Sequence, residues 1–179
     1  EDVVATRIKT LYGWTPGQYR TYVTTADVLR TRMQSVLVQD EKLSTTQRTQ
    51  ADQVLALVNE KKLSFSDLAK KYSEDAYAVK GGDLGYISRG DLTQELEDAA
   101  FRLKPGQHSE VLISPYGFHI LQVVDQRQQG GALQVHLLQI FISGPDVDQV
   151  LSNELRQHPP LILEAGLRWD QDQARVVDR

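Results

Sequence analysis

The chain has 179 residues, a formal net charge of −4, 40% hydrophobic residues and 25% charged residues. These values are typical of a folded chain of one domain or slightly more, and the acidic balance lacks the basic surface that binding to a phosphate backbone requires. The absence of cysteine excludes disulfides, thiolate nucleophiles and cysteine-based zinc sites. No window approaches the roughly 18 consecutive apolar residues of a membrane span. We therefore expect neither a nucleic-acid partner nor a membrane span.

Four helices are predicted in the first two thirds of the chain. Thr15-Pro16 is typical of a helix start, and apolar residues recur at helical spacing from there to Leu37. A second helix is predicted over residues 47–62. The segment Ser64–Asp67 has the spacing of a capping box and starts a third, short helix. A fourth helix is predicted from Leu92 to Leu103.

The apolar pattern changes to strand-like alternation in the second half of the chain. Strands are predicted at residues 84–87, 111–113, 118–124 and 135–142. A polar, Gln- and Gly-rich segment at 126–131 predicts an antiparallel hairpin between the last two strands. A register symmetric about residues 127 and 128 places His119 opposite His136, unless a bulge at Gly130-Gly131 shifts it. Helices followed by antiparallel strands predict an α+β fold.

Two histidines on neighbouring strands are candidate site residues, because facing imidazoles have to share a proton or bond to neighbouring groups. The spacing alone also fits two structural histidines that satisfy their own local hydrogen bonds. The four histidines match no metal-binding motif, and we expect no metal site. They are His108, His119, His136 and His158.

Several segments together resemble the parvulin-type peptidyl-prolyl cis-trans isomerases. These segments, in the family's order and spacing, are Phe65–Asp75, Gly81–Tyr86, Leu96–Leu103, Pro105-Gly106 and Tyr116–Leu121. The glycine loop Gly-Gly-Asp-Leu-Gly and the strand Gly-Phe-His-Ile-Leu are the most specific of them. The resemblance implies an antiparallel sheet of about four strands, flanked by helices and extended by an N-terminal helical region.

The resemblance also implies the identity of the site residues. By carry-over from the family, the proline pocket would be lined by Leu84, Leu92 and Leu96, with Ser114 at its rim. The catalytic network would consist of Asp75, His119 and His136. Asp75 stands where the family places a Cys or an Asp, and a carboxylate there would hold an imidazole in one tautomer. A loop aspartate without such a role is the alternative interpretation.

One element of the family pattern is displaced along the chain. The family's domain begins with a strand carrying a His-Leu/Ile-Leu motif, just before the helix that here covers residues 47–62. Val135–Leu138 resembles that strand but lies downstream, which predicts a circularly permuted domain. Alternatively, the downstream strand opens a second parvulin domain, or Ser35–Val38 is a degenerate first strand without its histidine. The first alternative lacks a second glycine loop, and the helical spacing through Leu37 speaks against the second.

These observations predict three regions. Residues 1–44 form a helical, chaperone-like region, residues 45–145 form the isomerase domain, and residues 146–179 form an extension of a helix and two weak strands. Helices such as those of the first region accompany parvulin domains in bacterial periplasmic or surface-anchored foldases. We therefore expect an extracytoplasmic protein from which a signal or anchor ahead of Glu1 has been removed.

The function implied by the resemblance is isomerisation of Xaa-Pro bonds in unfolded or extracytoplasmic clients, without metal or cofactor. Residues 139–148 lack the basic cluster that gives some parvulins a phosphate preference, so no phosphorylated residue is required. The position of Leu96 usually carries an aromatic residue, and leucine offers a proline ring less flat surface. This departure leaves a second interpretation, a peptide-binding chaperone with a catalytically weak parvulin-like domain. The sequence does not indicate an oligomeric state.

Overall fold

A computed structural model describes residues 9–10, 15–20, 25–159, 167–170, 172 and 175–178. Its helices are α1 (Pro16–Tyr19), α2 (Thr25–Gln39), α3 (Thr45–Glu60), α4 (Phe65–Tyr72), α5 (Gln94–Ala100) and α6 (Val147–Gln157). Its strands are β1 (Asp83–Ile87), β2 (Leu112–Ser114), β3 (Gly117–Gln129), β4 (Ala132–Ser143), β5 (Leu167–Asp170) and β6 (Arg175–Asp178). The chain divides into two compact units, residues 1–144 and 145–179. No helix within the described ranges has the length and apolar character that crossing a membrane demands.

Local capping interactions fix the helix starts much as the sequence predicts. Thr15 and Gln18 form a reciprocal capping box ahead of α1, and the Ser64 hydroxyl accepts the Asp67 amide at the start of α4. The predicted first helix corresponds to α1 and α2, while residues 21–24 lie outside the described residues. Residues 35–38 lie inside α2, so the alternative that they form a first strand is wrong.

The sheet of the first unit has four antiparallel strands in the order β1-β4-β3-β2. This confirms the predicted α+β class and the predicted sheet. The strand β4 is central: it pairs with β1 on one side and with β3 on the other. The long β3–β4 hairpin is therefore the frame to which the other elements attach.

A two-residue turn sets the register of this hairpin. Gln129 pairs with Ala132, and both intervening residues have positive φ, 61° at Gly130 and 82° at Gly131. Two successive glycines favour this turn because its twist matches that of the flanking strands. The register predicted about residues 127 and 128 is therefore wrong. A bulge between Val123 and Asp125 shifts the pairing by one further residue, so that the structure pairs His119 with Phe141 and His136 with Asp125.

Alternate residues of the hairpin pack against different helices. Even-numbered positions near its base join the buried faces of α3 and α4 in one cluster: Phe118, Ile120, Ile140 and Ile142. Odd-numbered positions pack against α5 on the opposite face: Leu121, Val123, Val135 and Leu137. His119 and Gln139 share the parity of the second set, whereas His136 shares the parity of the first. The sheet thus separates the two histidines that the sequence analysis placed together.

The second unit contains α6 and the β5–β6 hairpin. The Asp146 carboxylate caps α6 by accepting the amides of Asp148 and Gln149. The strands pair from Leu167 with Asp178 to Asp170 with Arg175. These elements confirm the predicted helix and the two strand-like runs within the described residues, while residues 161–166, 171 and 173–174 lie outside them.

Gly82 provides a test of how tightly the glycine loop packs on β4. It has a φ of 79° and accepts the Gln139 amide at 2.8 Å, and a Cβ placed there would lie 2.1 Å from the Gln139 carbonyl oxygen. Because strain and overpacking add, Gly82→Ala should lower the free energy of unfolding by roughly 3 kcal/mol or more. Urea denaturation measures this loss.

Gly85 offers a matched control for that substitution. It has a similar φ of 74°, but a Cβ placed there meets nothing within 4 Å. Gly85→Ala should therefore cost only the backbone strain, about 1–2 kcal/mol. Equal losses for the two variants would contradict the close approach of Gly82 to β4.

Candidate functional site

The loop after α4 places Asp75 beside the C-terminal half of β4. The Glu74 amide donates to the Phe141 carbonyl at 2.8 Å, and the Phe141 amide donates to the Ser73 hydroxyl at 2.9 Å. The Ser73 hydroxyl also donates to Asp75 Oδ1 at 3.2 Å, as does the Tyr77 amide at 3.0 Å. These bonds tie the loop to the strand and fix the carboxylate of Asp75.

A tight connection between β2 and β3 brings Ser114 to His119. Ser114 pairs with Gly117 across this connection, and its hydroxyl accepts the Tyr116 amide at 3.1 Å. Ser114 Oγ lies 2.8 Å from His119 Nε2, and both side chains are buried, with 4% and 7% of their surface exposed. The imidazole is thus held at the end of its strand by a hydroxyl whose own position is fixed.

Gln139 of β4 connects these two groups. Its Oε1 lies 3.0 Å from His119 Nδ1, and its Nε2 donates to Asp75 Oδ2 at 2.7 Å. Its side chain is buried, with 9% of its surface exposed. The residues Asp75, Gln139, His119 and Ser114 therefore form one continuous hydrogen-bonded chain, which we call the polar relay.

Burial dominates the electrostatics of the relay. It lowers the pKa of His119 because water no longer stabilises the imidazolium; the bond to Gln139 and the charge of Asp75 oppose this effect but do not cancel it. At neutral pH the ring is therefore neutral, with one nitrogen donating and the other accepting.

Apolar side chains lie on the same face of the sheet as the relay. The three leucines predicted to line the proline pocket belong to the cluster between α5 and the sheet: Leu96 of α5 is buried, while Leu84 and Leu92 are partly exposed. The Phe141 ring stands 4.8 Å from the His119 ring, centroid to centroid, and is also partly exposed. The structure thus combines a hydrogen-bonded buried histidine with an apolar surface.

His136 lies in a different cluster, on the other face. His136 Nε2 lies 2.7 Å from Asp83 Oδ1, a bond that lowers the pKa of Asp83. The Tyr86 ring lies 5.0 Å from the imidazole, and its hydroxyl donates to Asp125 at 2.6 Å. The Arg127 guanidinium covers the Tyr86 ring at 3.7 Å. The expected pairing of His136 with His119 is wrong: the Gly-Gly turn gives both residues other partners, and the bulge between Val123 and Asp125 puts them on opposite faces.

A groove of about 680 Å³ also lies away from the relay, between the end of α3, the start of α4 and the loop after α5. Its walls include Val58, Phe65, His108 and Gln122, and none of the predicted site residues. We place the candidate site at the relay because several buried polar groups converge there.

The structure therefore brings together most of the predicted residues and adds one. Asp75, His119 and Ser114 share the relay, and His136 does not. Gln139 is the residue that sequence reasoning missed. The turn alone does not identify it, because a hairpin centred on Gly130-Gly131 would pair His119 with Ile142. The bulge between Val123 and Asp125 shifts the pairing to Phe141 and brings the odd-numbered residues of β4 onto the face of His119.

Comparisons with known proteins agree on the kind of domain. Residues 19–127, more than half of the chain, match the family model described as the PPIC-type PPIase domain. A chaperone SurA of Nitrosospira multiformis is 52% identical over 65 residues, covering 36% of this chain and 15% of that protein. A foldase protein PrsA of a Geobacillus species is 39% identical over 99 residues, covering 55% of this chain and 33% of that protein.

Two further proteins are similar to this chain. A chaperone SurA of Bordetella avium is 35% identical over 104 residues, covering 57% of this chain and 21% of that protein. A solved structure of the peptidylprolyl isomerase PrsA of Bacillus anthracis has a TM-score of 0.35 and 19% identity, covering 88% of this chain and 76% of that one. The chain thus spans no more than a third of the length of these three curated relatives.

The lowered pKa of His119 predicts how stability depends on pH. Below the unfolded-state value of about 6.5 the unfolded chain takes up a proton that the buried ring resists, so the unfolded state is favoured as the pH falls. Stability from this group is complete above pH 6.5 and decreases toward the folded pKa. Urea unfolding of the wild type and of His119→Gln, measured from about pH 7.5 to 5.0, should show a shallower decrease in the variant.

The comparison between the two proteins isolates one group, because all other carboxylates and histidines are shared. Equal pH dependence in the wild type and in His119→Gln would show that the His119 ring is protonated in the folded protein as easily as in the unfolded one.

Proposed function

The chain belongs to the PPIC-type PPIase domain family, and on that premise we propose that it isomerises Xaa-Pro peptide bonds in unfolded polypeptides. The observation that carries the proposal is the relay of Asp75 with the buried Gln139, His119 and Ser114, beside the leucines between α5 and the sheet. An apolar surface for the proline ring next to polar groups for the preceding peptide unit is the combination that this reaction requires.

The energetics of the reaction are modest. The rotational barrier of a peptide bond is about 18–20 kcal/mol, and uncatalysed Xaa-Pro isomerisation takes tens to hundreds of seconds. A 10⁴-fold acceleration requires roughly 5.5 kcal/mol of preferential stabilisation of the twisted amide. No bond breaks, and the reaction needs neither a metal nor a cofactor.

The proposed mechanism divides the work between the two parts of the site. The leucines and the Phe141 ring hold the proline ring away from water, where polar groups act more strongly than in solution. The relay positions His119 and Ser114 beside the preceding peptide unit. Leu96 is buried, so Leu84 and Leu92 supply more of the surface that a ligand touches.

We extend the proposal to the strand order. The resemblance implies that the family's first and last strands are neighbours, and β4 lies between β1 and β3 in this sheet. Gln139-Ile140-Phe141, rather than the stretch at His136, then corresponds to the family's His-Leu/Ile-Leu motif. In this proposal the domain is circularly permuted, and an amide stands in the place of one imidazole.

The proposed clients and cellular location rest on the same family membership. Relatives named chaperone SurA and foldase PrsA support unfolded proline-containing polypeptides as clients. We propose an extracytoplasmic location, as the resemblance implies. Lack of a basic cluster after β4 supports clients without phosphate.

A peptide-binding chaperone is the second candidate function. Apolar side chains of α2 are exposed, with 53% of Val28, 53% of Leu29 and 66% of Val36 accessible to solvent. Such side chains bind unfolded segments without any isomerisation. Relatives named as chaperones favour this candidate as well.

Two-dimensional NMR exchange on a short, unphosphorylated Ala-Pro or Leu-Pro peptide tests the isomerase. Substoichiometric protein should produce exchange peaks between the cis and trans forms. His119→Gln should reduce the exchange rate at least about tenfold, the equivalent of about 1.4 kcal/mol, because it breaks the relay at its centre.

His136→Gln is the matched control, since it makes the same chemical change on the opposite face. It should leave the exchange rate within about twofold of the wild type, less than 0.5 kcal/mol. Equal rates in all three proteins would remove the relay from the site. Line broadening without exchange peaks in the wild type would favour the chaperone.

A further inference from the structure

We infer that the carboxylate of Asp75 sets the tautomer of His119 through the amide of Gln139, so that Nδ1 carries the ring hydrogen and Nε2 is the acceptor. Asp75 and Gln139 are then positioning residues, and the catalytic meaning of this role rests on the proposed function. The inference follows from the chemistry of each group along the relay.

The relay begins at a group that only accepts hydrogen bonds. The Asp75 carboxylate takes the Ser73 hydroxyl and the Tyr77 amide on Oδ1, and its Oδ2 faces Gln139 at 2.7 Å. An ionised carboxylate has no hydrogen to give. The end of the Gln139 amide that faces Asp75 must therefore be its NH₂ group.

That orientation determines the second half of the relay. With its NH₂ group on Asp75, Gln139 presents Oε1 to His119 Nδ1 at 3.0 Å. A carbonyl oxygen accepts only, so Nδ1 must carry the hydrogen. In the neutral ring Nε2 is then a lone pair, 2.8 Å from Ser114 Oγ.

The bond between Ser114 and His119 is compatible with this direction of the hydrogen bonds. Ser114 Oγ accepts the Tyr116 amide at 3.1 Å, which leaves its own hydrogen free to donate to His119 Nε2. Every hydrogen along the relay therefore points toward Asp75. The opposite tautomer would set the Nδ1 lone pair against the Gln139 oxygen, and burial of both side chains removes the water that would otherwise compensate.

Gln139 fixes the tautomer of His119 more firmly than an ionisable residue at this position would. A carboxamide at neutral pH neither gains nor loses a proton, so it passes on orientation alone. The direction of the relay then depends on one charge, that of Asp75. An isosteric change at Asp75 should reverse it without changing the shape of the site.

Asp75→Asn is that change. Oδ1 has to remain on the Tyr77 amide and the Ser73 hydroxyl, because both donate to it, and the new NH₂ group therefore faces Gln139. Gln139 must then turn its oxygen toward Asn at position 75 and its NH₂ group toward His119 Nδ1. We expect the hydrogen of His119 to move from Nδ1 to Nε2, which would donate to Ser114.

The experiment records long-range ¹H–¹⁵N correlations of the histidine rings in the full chain, labelled with ¹⁵N-histidine, about one pH unit above 6.5. The wild type should show His119 protonated at Nδ1, and Asp75→Asn should show it protonated at Nε2. His119→Gln assigns the signals. An Nε2–H tautomer in the wild type, or an unchanged tautomer in Asp75→Asn, would overturn the inference.

Two further variants separate the relay from general effects. Asp83→Asn makes the same change beside His136 and should leave the tautomer of His119 unchanged. In a Gln139→Leu background, Asp75→Asn should have no effect on the His119 tautomer, because the connection is cut. A change of tautomer on Asp75→Asn in the Gln139→Leu background would show that Asp75 does not act through Gln139. A change in Asp83→Asn would show that the tautomer responds to the loss of a distant charge and is not set by Asp75.

The readout uses no peptide and is independent of isomerase activity. A protein that shows the reversal but no exchange of prolyl peptides contradicts the proposed function alone. A protein that isomerises prolyl peptides without the reversal contradicts the inference alone.

Discussion

The register of the β3–β4 hairpin is the constraint on which the site depends. The turn at Gly130-Gly131, with positive φ at both positions, fixes the register next to the turn, and the bulge between Val123 and Asp125 shifts it by one residue, which decides the side chains of β3 and β4 that share a face at the site. In the observed register Gln139 and Phe141 share the face of His119, and Ile140 and Ile142 seal the core under α3 and α4. The register that packs the core is therefore also the register that assembles the relay.

Burying polar groups is tolerated here because each one is satisfied. An unmet buried donor or acceptor costs about 1–3 kcal/mol, and the relay contains a glutamine, an imidazole and a hydroxyl. Each makes the bonds its environment allows, and the only charge, on Asp75, sits at the more exposed end. The loop that carries Asp75 is held by backbone bonds to Phe141, so the strand that supplies Gln139 also positions its partner.

Signals within a few residues of one another were enough to predict the elements. The capping residues at Thr15 and Ser64 and the change to strand alternation after Ser109 depend on neighbours along the chain. The resemblance assigns Asp75, His119 and Ser114 to the site, and all three lie in the relay. The register depends instead on the choice of one turn within the Gln- and Gly-rich segment 126–131 and on the bulge between Val123 and Asp125. Centring it three residues too early made His136 the expected partner of His119. The contact between Asp75 and Gln139 joins residues 64 apart, and no local pattern signals it.

The odd spacing of His136 and Gln139 gives β4 two tasks. Residues three apart in a strand point to opposite faces, so Gln139 completes the relay while His136 bonds to Asp83 on the other side. That second contact lies on β1, where a bulge between Asp83 and Gly85 leaves Asp83 and Tyr86 on the face of His136 and Leu84 in the leucine cluster on the other face. Backbone pairing holds β1 against β4, and β1 carries Leu84 to the apolar wall of the site. The side chain of His136 adds a contact behind the sheet but is not part of that wall.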